Sequence, residues 1–422
     1  MTQNQQMMNG SITTGQMGKL HIMFTLGSAA LILPTMVTVI AKQDSWITMI
    51  MAVGLNFMFL YAPLELAKRF PGQSLVSYTQ QILGRAAGMV YTVLYLFFFL
   101  VLTAAVFRNM GDFVGTSVLP ETPRWFIHIA FMLIVMYGVA LGIEVMGRSS
   151  EILFVWVFLV FGAVFALLTN KMQVSNLLPV LADGWIPTIK GLYPITGFPL
   201  AEYVYVMMLF SCVRSEDLGK LKRAMWMSSV VIGISGLSIA LLLLLVLGAD
   251  LTLRSPFAVY DMAKEIQIGE VLERVEITVA MIWISTVFTK AMICFYVLCL
   301  TTAQLLRFST YRPLILPLAF IIVPLSLVIY RNTAHTNLFA FAIWPVFGCV
   351  LGLLMPMLLL AAAVFRKQGT PSGKGMKDTQ QPEQERGGTS SEANSEQRVT
   401  APEQRNGSER KESMSTVQVE KS

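Results

Sequence analysis

The sequence predicts an all-α membrane protein of ten transmembrane helices, and three observations lead there. Apolar residues make up 55% of the chain and charged residues 13%, against about 25% charged in an ordinary soluble domain; the mean hydropathy is +0.63. Ten apolar runs, roughly 20–40, 46–66, 84–107, 125–143, 152–169, 192–212, 225–248, 276–303, 313–330 and 337–365, follow one another along the chain. Each has about the length needed to cross the hydrocarbon core, where only helices and closed barrels satisfy their backbone polar groups. Finally, the first and sixth runs are visibly interrupted, and a matched pair of Gly/Pro-broken spans in two halves points to a transporter-type binding site.

The chain divides into a polar segment 1–19, a membrane domain 20–365 and a polar tail 366–422. The first segment carries one cation, Lys19, and no cleavage-site pattern, so the first span is expected to be retained. That span, Ile22 to Ile40, is interrupted by Gly27-Ser28-Ala29-Ala30 and then Pro34. Glycine and small residues let the backbone leave helical geometry. The break is expected to expose amide N–H groups at the start of the outer half-helix, where an anion such as a carboxylate is favoured. The small side chains leave room for a ligand of amino-acid size; close helix packing through small residues is the other reading.

The third span carries Tyr91, Tyr95 and Thr103 and ends in Arg108 and Asp112, four residues apart and so on one helix face. The two tyrosines suit either ligand cover or packing between helices. Arg108 and Asp112 suit either an entrance gate or an interfacial salt bridge worth little. In the sixth span, Pro194, Gly197 and Pro199 interrupt the run from Tyr193 to Phe210, with Glu202 just beyond. A lone carboxylate at that depth is costly and functional by default, unless it closes the backbone freed near Pro199. The eighth span holds Lys290 in the middle of Ser285-Thr286-Val287-Phe288-Thr289-Lys290. A buried ammonium needs an anion, carbonyls or water, and Glu202 is the expected partner, directly or through one water. In a cation-coupled transporter such an ammonium takes the place of a bound ion; the other reading is a lysine lining a water-filled vestibule.

Orientation follows from the loop cations. With the N-terminus inside, and leaving out Lys19 and Arg108 because each lies near a span end, twelve lie in the inner connections (Lys68 to Lys367) and eight in the outer ones (Lys42 to Arg331), as the positive-inside rule prefers. The 57 residues from Arg366 onward contain no aromatic residue and nearly balanced charge, so they are expected to be a disordered cytoplasmic tail. The four cysteines, Cys212, Cys294, Cys299 and Cys349, fall within spans without metal-type spacing, and the three histidines are scattered near span ends. With no phosphate loop, nucleophile elbow or paired-carboxylate site, no cofactor, no metal and no enzymatic activity are expected.

Several short pieces then carry a resemblance over about residues 11–365. They include Ile12-Thr13-Thr14-Gly15-Gln16, Leu33-Pro34, Arg69-Phe70-Pro71-Gly72, Ile82-Leu83-Gly84-Arg85 and Leu119-Pro120-Glu121-Thr122-Pro123. Asn176-Leu177-Leu178-Pro179-Val180, Gly197-Phe198-Pro199-Leu200-Ala201-Glu202 and Leu272-Glu273-Arg274-Val275-Glu276 continue the series, followed by Trp283 and Lys290. In this order and spacing the chain resembles the spore germination permeases, the B subunits of bacterial germinant receptors, in the amino acid–polyamine–organocation superfamily. The resemblance implies a five-plus-five inverted repeat with broken helices 1 and 6, and recognition of a small nutrient, commonly an amino acid. It also implies assembly with A and C subunits in the spore inner membrane. The tail after Arg366 departs from the family's usual length.

The expected function is a permease-like B subunit of a germinant receptor that binds a nutrient and triggers germination. The alternative is a secondary amino-acid or amine transporter coupled to protons or cations, since one scaffold hosts either. Ligand-binding residues are expected at Gly27, Ser28, Ala29, Thr103, Gly197, Glu202, Ser285, Thr286 and Lys290. The partners are the nutrient, the A and C subunits and the membrane, with no role for nucleic acid.

Overall fold

Hydrophobic runs with few caps and many glycines build a helical bundle whose irregularities sit at its centre. The structure, a computed structural model, describes residues 10–265 and 275–369. The expected tail lies, from residue 370 on, outside the described residues. The described residues all fall within one compact unit.

The first helix, α1 (Thr14–Ala41), opens on a capping box. Gln16 N donates to Thr13 Oγ1 at 3.2 Å and Thr13 N donates to Gln16 Oε1 at 3.0 Å, which ties down two amides a helix start leaves unpaired. The segment expected to precede the membrane domain is therefore partly drawn into it, and the helix begins six residues before the predicted span. Just ahead of the cap, Ile12 N donates to Cys212 O at 3.0 Å and Arg214 N donates to Ile12 O at 3.1 Å, forming a parallel bridge. Residues 12 and 213, both expected on the inner side, thus meet at one end of the bundle.

The other helices follow in order: α2 (Ser45–Arg69), α3 (Leu75–Leu83), α4 (Arg85–Phe113), α5 (Arg124–Leu141) and α6 (Ile143–Leu168). Short pieces α7 (Trp185–Lys190), α8 (Leu192–Gly197) and α9 (Val206–Leu209) lead into the long α10 (Leu218–Thr252). Then come α11 (Ala258–Ala263), α12 (Val275–Leu305), α13 (Ile315–Val328), α14 (Thr333–Leu338), α15 (Trp344–Gly348) and α16 (Met355–Phe365). Among the described residues, eight helical stretches are long and apolar enough to cross a membrane. The first of them, Ala29–Arg69, runs through two predicted spans around a short turn at Lys42–Asp44. The ninth predicted span appears as the shorter apolar stretch Arg312–Val328. The protein is thus an all-α, multi-pass membrane protein.

The two expected breaks have different outcomes. The sixth span is broken where predicted: α8 ends at Gly197, Phe198 is extended (φ −141°, ψ 111°), and a 3-10 turn runs from Leu200 to Tyr205. The Phe198–Pro199 peptide is cis. The first span is not broken. α1 is continuous through Gly27, Ser28, Ala29, Ala30 and Pro34, so its amides stay inside the helix. The physical reason lies in the packing. A Cβ on Gly27 would sit 2.6 Å from Thr286 O, so this glycine brings the backbones of α1 and α12 together, as small residues do at helix crossings in membranes. Pro34 removes one ladder bond without ending the helix.

The broken segment lies deepest. In the stretch Trp185–Cys212, 89% of the apolar window is buried within the protein, against 17% in Ile143–Lys171, so the sixth span is central and α6 is peripheral. Large apolar side chains that stay exposed, such as Leu133, Ile152, Leu159 and Phe320, face outward from α5, α6 and α13, as lipid contact requires. The tenth span wraps the break: Cβ atoms on Gly197 and Gly348 would sit 2.5 Å from Pro345 Cα and 2.7 Å from Ala201 Cβ.

Candidate functional site

The break places one carboxylate against one ammonium in the protein's interior. Glu202 sits in the 3-10 turn that restarts the chain after Pro199, and Lys290 sits midway along α12. Lys290 Nζ donates to Glu202 Oε2 at 2.5 Å, and both side chains are at most 1% exposed. The pairing expected from the sequence is therefore direct. Two aromatic rings complete the surroundings of the ammonium, Phe24 at 4.9 Å and Phe198 at 5.0 Å from Nζ. A cation over an aromatic face gains about 2 kcal/mol or more when desolvated, which offsets part of the cost of burying the charge.

The same contacts show which expected residues converge. Gly27 lies against Thr286 and Lys290, its built Cβ reaching Lys290 Cβ at 3.1 Å. Gly27, Thr286, Lys290 and Glu202 thus form one cluster. Three others turn elsewhere. Thr103 donates back to Phe99 O at 2.6 Å within α4, Ser285 donates to Met281 O at 2.8 Å, and Gly197 packs on Pro345. Ala29 lines a separate cavity between α1, α2, α10 and the break. Thr25, Ala30, Asn56, Pro199 and Tyr203 line it too. Asn56 Nδ2 donates to Ser229 O at 3.2 Å, while its Oδ1 has no partner among the described residues.

Sequence reasoning missed the aromatic members. Phe24 and Phe198 read as ordinary apolar residues, although Phe198 stands inside the break itself. His21, taken as a scattered histidine, is buried and its Nδ1 lies 2.8 Å from Tyr205 Oη. His21 also meets the Tyr203 ring edge-on at 4.5 Å, and Phe24 packs on Tyr205 at 3.9 Å. No local signal in the sequence reveals these contacts, because they join the first turns of α1 to residues 180 positions later.

Arg108 and Asp112 do pair, at 2.8 Å, but the arginine does more. Its Nη1 donates to Leu327 O at 2.9 Å and Tyr330 O at 3.1 Å. It thus holds carbonyls at the C-terminal end of α13, where a cation is favoured. Arg124 adds a second cation 3.5 Å from Asp112. Tyr95 Oη donates to Leu351 O at 2.5 Å, tying α4 to the tenth span.

Comparison with known proteins fits this architecture. Over 373 residues the chain is 29% identical to spore germination protein KB of Bacillus subtilis (strain 168), covering 86% of this chain and 97% of that protein. It is 25% identical over 377 residues to spore germination protein YndE of the same organism, covering 85% and 98%. Among solved structures, MhsT in complex with L-phenylalanine superposes with a TM-score of 0.58 at 14% identity, covering 83% of this chain and 88% of that one. A Na+-coupled sialic acid symporter in a substrate-bound outward-open state gives 0.57 at 10% identity, covering 85% and 79%. At those identities the likeness is one of fold. The profile of the spore germination protein family matches residues 11–336, more than half of the chain, and this chain belongs to that family.

Proposed function

We propose that the protein is a non-enzymatic permease of this family that binds a small nutrient, such as an amino acid or amine, and moves it with protons or other cations. The observation that carries the reading is the buried Glu202–Lys290 pair beside the broken sixth span. An internal ion pair is costly to keep and, in a membrane, marks solute or ion pathways. A proton arriving at Glu202 would neutralise the carboxylate, release Lys290 and free the turn at Leu200–Tyr205 to move. The fold shared with MhsT and the sialic acid symporter supports ten spans arranged as a five-plus-five inverted repeat, with Lys42–Asp44 separating the first two. The solute would sit against the break, with Ala29, Asn56, Pro199 and Tyr203 as walls and its ammonium on carbonyls of the sixth span. Gly27, Thr286 and Lys290 stand beside it with Glu202, whereas Thr103, Ser285 and Gly197, expected in the same set, would act only if the site rearranges.

The second reading, favoured by the spore germination relatives, is a nutrient-sensing B subunit working with A and C subunits in the spore inner membrane. Purified protein in liposomes with labelled amino acids and an imposed proton gradient separates the two. Concentrative uptake by this chain alone supports the permease. Binding without uptake, together with co-purification of two partner subunits, supports the sensor.

A further inference from the structure

The end of α10 expected on the inner side carries three cations that no carboxylate neutralises. Lys220, Lys222 and Arg223 are exposed in its first two turns, and none of them makes an ion pair among the described residues. Lys19, Lys68 and Arg148, expected on the same side, each sit on a carboxylate instead. The acids nearest to the three cations in sequence, Glu216 and Asp217, belong to the preceding 3-10 turn.

From these charges a seam runs between α10 and α2. Asn56 and Ser229 are buried where the two helices meet. One position along, Phe57 is half-buried, as is Trp226, and beyond them Tyr61, Met227 and Val230 are exposed, so the seam opens outward, where apolar side chains meet lipid. Phe57 stacks on Trp226 with ring centroids 4.7 Å apart, and Lys222 Nζ lies 5.8 Å from the Trp226 centroid. Lys222, Trp226 and Val230 are spaced four apart and share one face of α10; Phe57 and Tyr61 do the same on α2. Further along, Gly54 is exposed with nothing within 4 Å of its built Cβ, which leaves a notch in the apolar wall. Val53 and Gly233 also line the cavity against the break. A Cβ on Gly233 would sit 2.8 Å from Val53 Cγ2, so the helices close there and separate that cavity from the seam.

The geometry points to a binding site for one anionic phospholipid of the inner leaflet, its phosphate on Lys220, Lys222 and Arg223 and an acyl chain laid along Trp226, Phe57 and Gly54. The unneutralised cations select an anion, and each contributes about fivefold in affinity for an anionic headgroup. The apolar seam that continues from them selects an anion carrying a hydrocarbon chain. A zwitterionic headgroup is disfavoured, because it brings an ammonium of its own against three cations. Neither Glu202 nor Lys290 takes part, so the site and its test do not depend on the nutrient site proposed at the break.

The test uses the full chain in phosphatidylcholine nanodiscs with rising fractions of phosphatidylglycerol brominated along its chains, and brominated phosphatidylcholine as the comparison. Bromine quenches tryptophan fluorescence only at close range. The chain has seven tryptophans, and subtracting the signal of the matching Trp226→Phe variant isolates Trp226. Its half-maximal quenching is expected at a mole fraction at least about tenfold lower for the brominated phosphatidylglycerol than for the brominated phosphatidylcholine. Lys222→Gln should raise the phosphatidylglycerol midpoint about fivefold. Replacing Lys220, Lys222 and Arg223 together by Gln should bring it to the phosphatidylcholine value. Unchanged quenching by brominated phosphatidylcholine in these variants shows the seam intact. Gly54→Phe, which keeps the cations but fills the notch, should also raise the phosphatidylglycerol midpoint. Equal midpoints for the two lipids in the unaltered chain overturn the site, as does a preference that survives in the triple variant. Displacement of the lipid by glycerol phosphate, or no effect of Gly54→Phe, overturns the place given to the acyl chain.

Discussion

Glu202 and Lys290 each carry a charge that the interior tolerates only in the other's company. Removing one leaves an uncompensated charge, at a cost of roughly 3–5 kcal/mol for a buried pair. Glu202→Gln and Lys290→Met are expected to lower thermal stability in detergent sharply, and the double variant to regain part of the loss. If the double variant is as unstable as the two losses added together, the residues are not coupled. Gly27 gives the second prediction. Any side chain there meets Thr286 O, 2.6 Å from the built Cβ, so Gly27→Leu should destabilise by about 1–3 kcal/mol or more through overpacking. Gly54, with nothing near its built Cβ, should accept alanine with little change in the same melting assay. The charges were legible in the sequence because a carboxylate and an ammonium inside apolar runs stand out. Their aromatic neighbours were not, since nothing distinguishes Phe24 from the phenylalanines that simply pack.

Helices differ in how clearly their irregularities announce themselves. The break of the sixth span was readable because Gly197 and Pro199 act together: one imposes no side chain and the other supplies no N–H. In the first span a similar composition serves closeness instead, and Gly27 is spent on the contact with α12. Composition alone does not separate the two uses, because both ask for small residues. α13 adds a prediction at its C-terminal end, where Arg108 holds the carbonyls of Leu327 and Tyr330. Arg108→Ala should loosen that end, seen as faster amide exchange over residues 325–330. Arg108→Lys should restore it only in part, because an ammonium lacks the planar fork of donors. Unchanged exchange in Arg108→Ala would show that packing alone holds the helix end.

For the molecule as a whole, the membrane class and most span positions followed from apolar run length, the strongest signal such a chain offers. The joining of distant parts did not, since it rests on contacts between residues far apart in sequence. One such contact is the tie of α1 to α6. Lys19 Nζ reaches Glu151 Oε1 at 2.7 Å and Gln16 Nε2 donates to Glu151 Oε2 at 3.2 Å. Both charged side chains are about a third exposed, so the tie is worth little in stability. Its expected effect is on motion at that end of the bundle. Glu151→Gln should leave the melting temperature nearly unchanged while raising the reactivity of a cysteine placed at the exposed Gly15 toward a water-soluble maleimide. Equal reactivity with and without the substitution would remove any gating role from this contact.

The bridge between Ile12 and Val213 also has a consequence for synthesis. Residues near the start of the chain receive their backbone partners only after some two hundred more have been made, which at 5–20 residues per second takes roughly 10–40 s. Until then Ile12 has neither of the bonds it makes in the finished protein, and Gly27 waits longer still for α12. The first span is therefore threaded early and seated late. A nascent chain halted before the sixth span would hold its leading helix without the neighbours that fix its place.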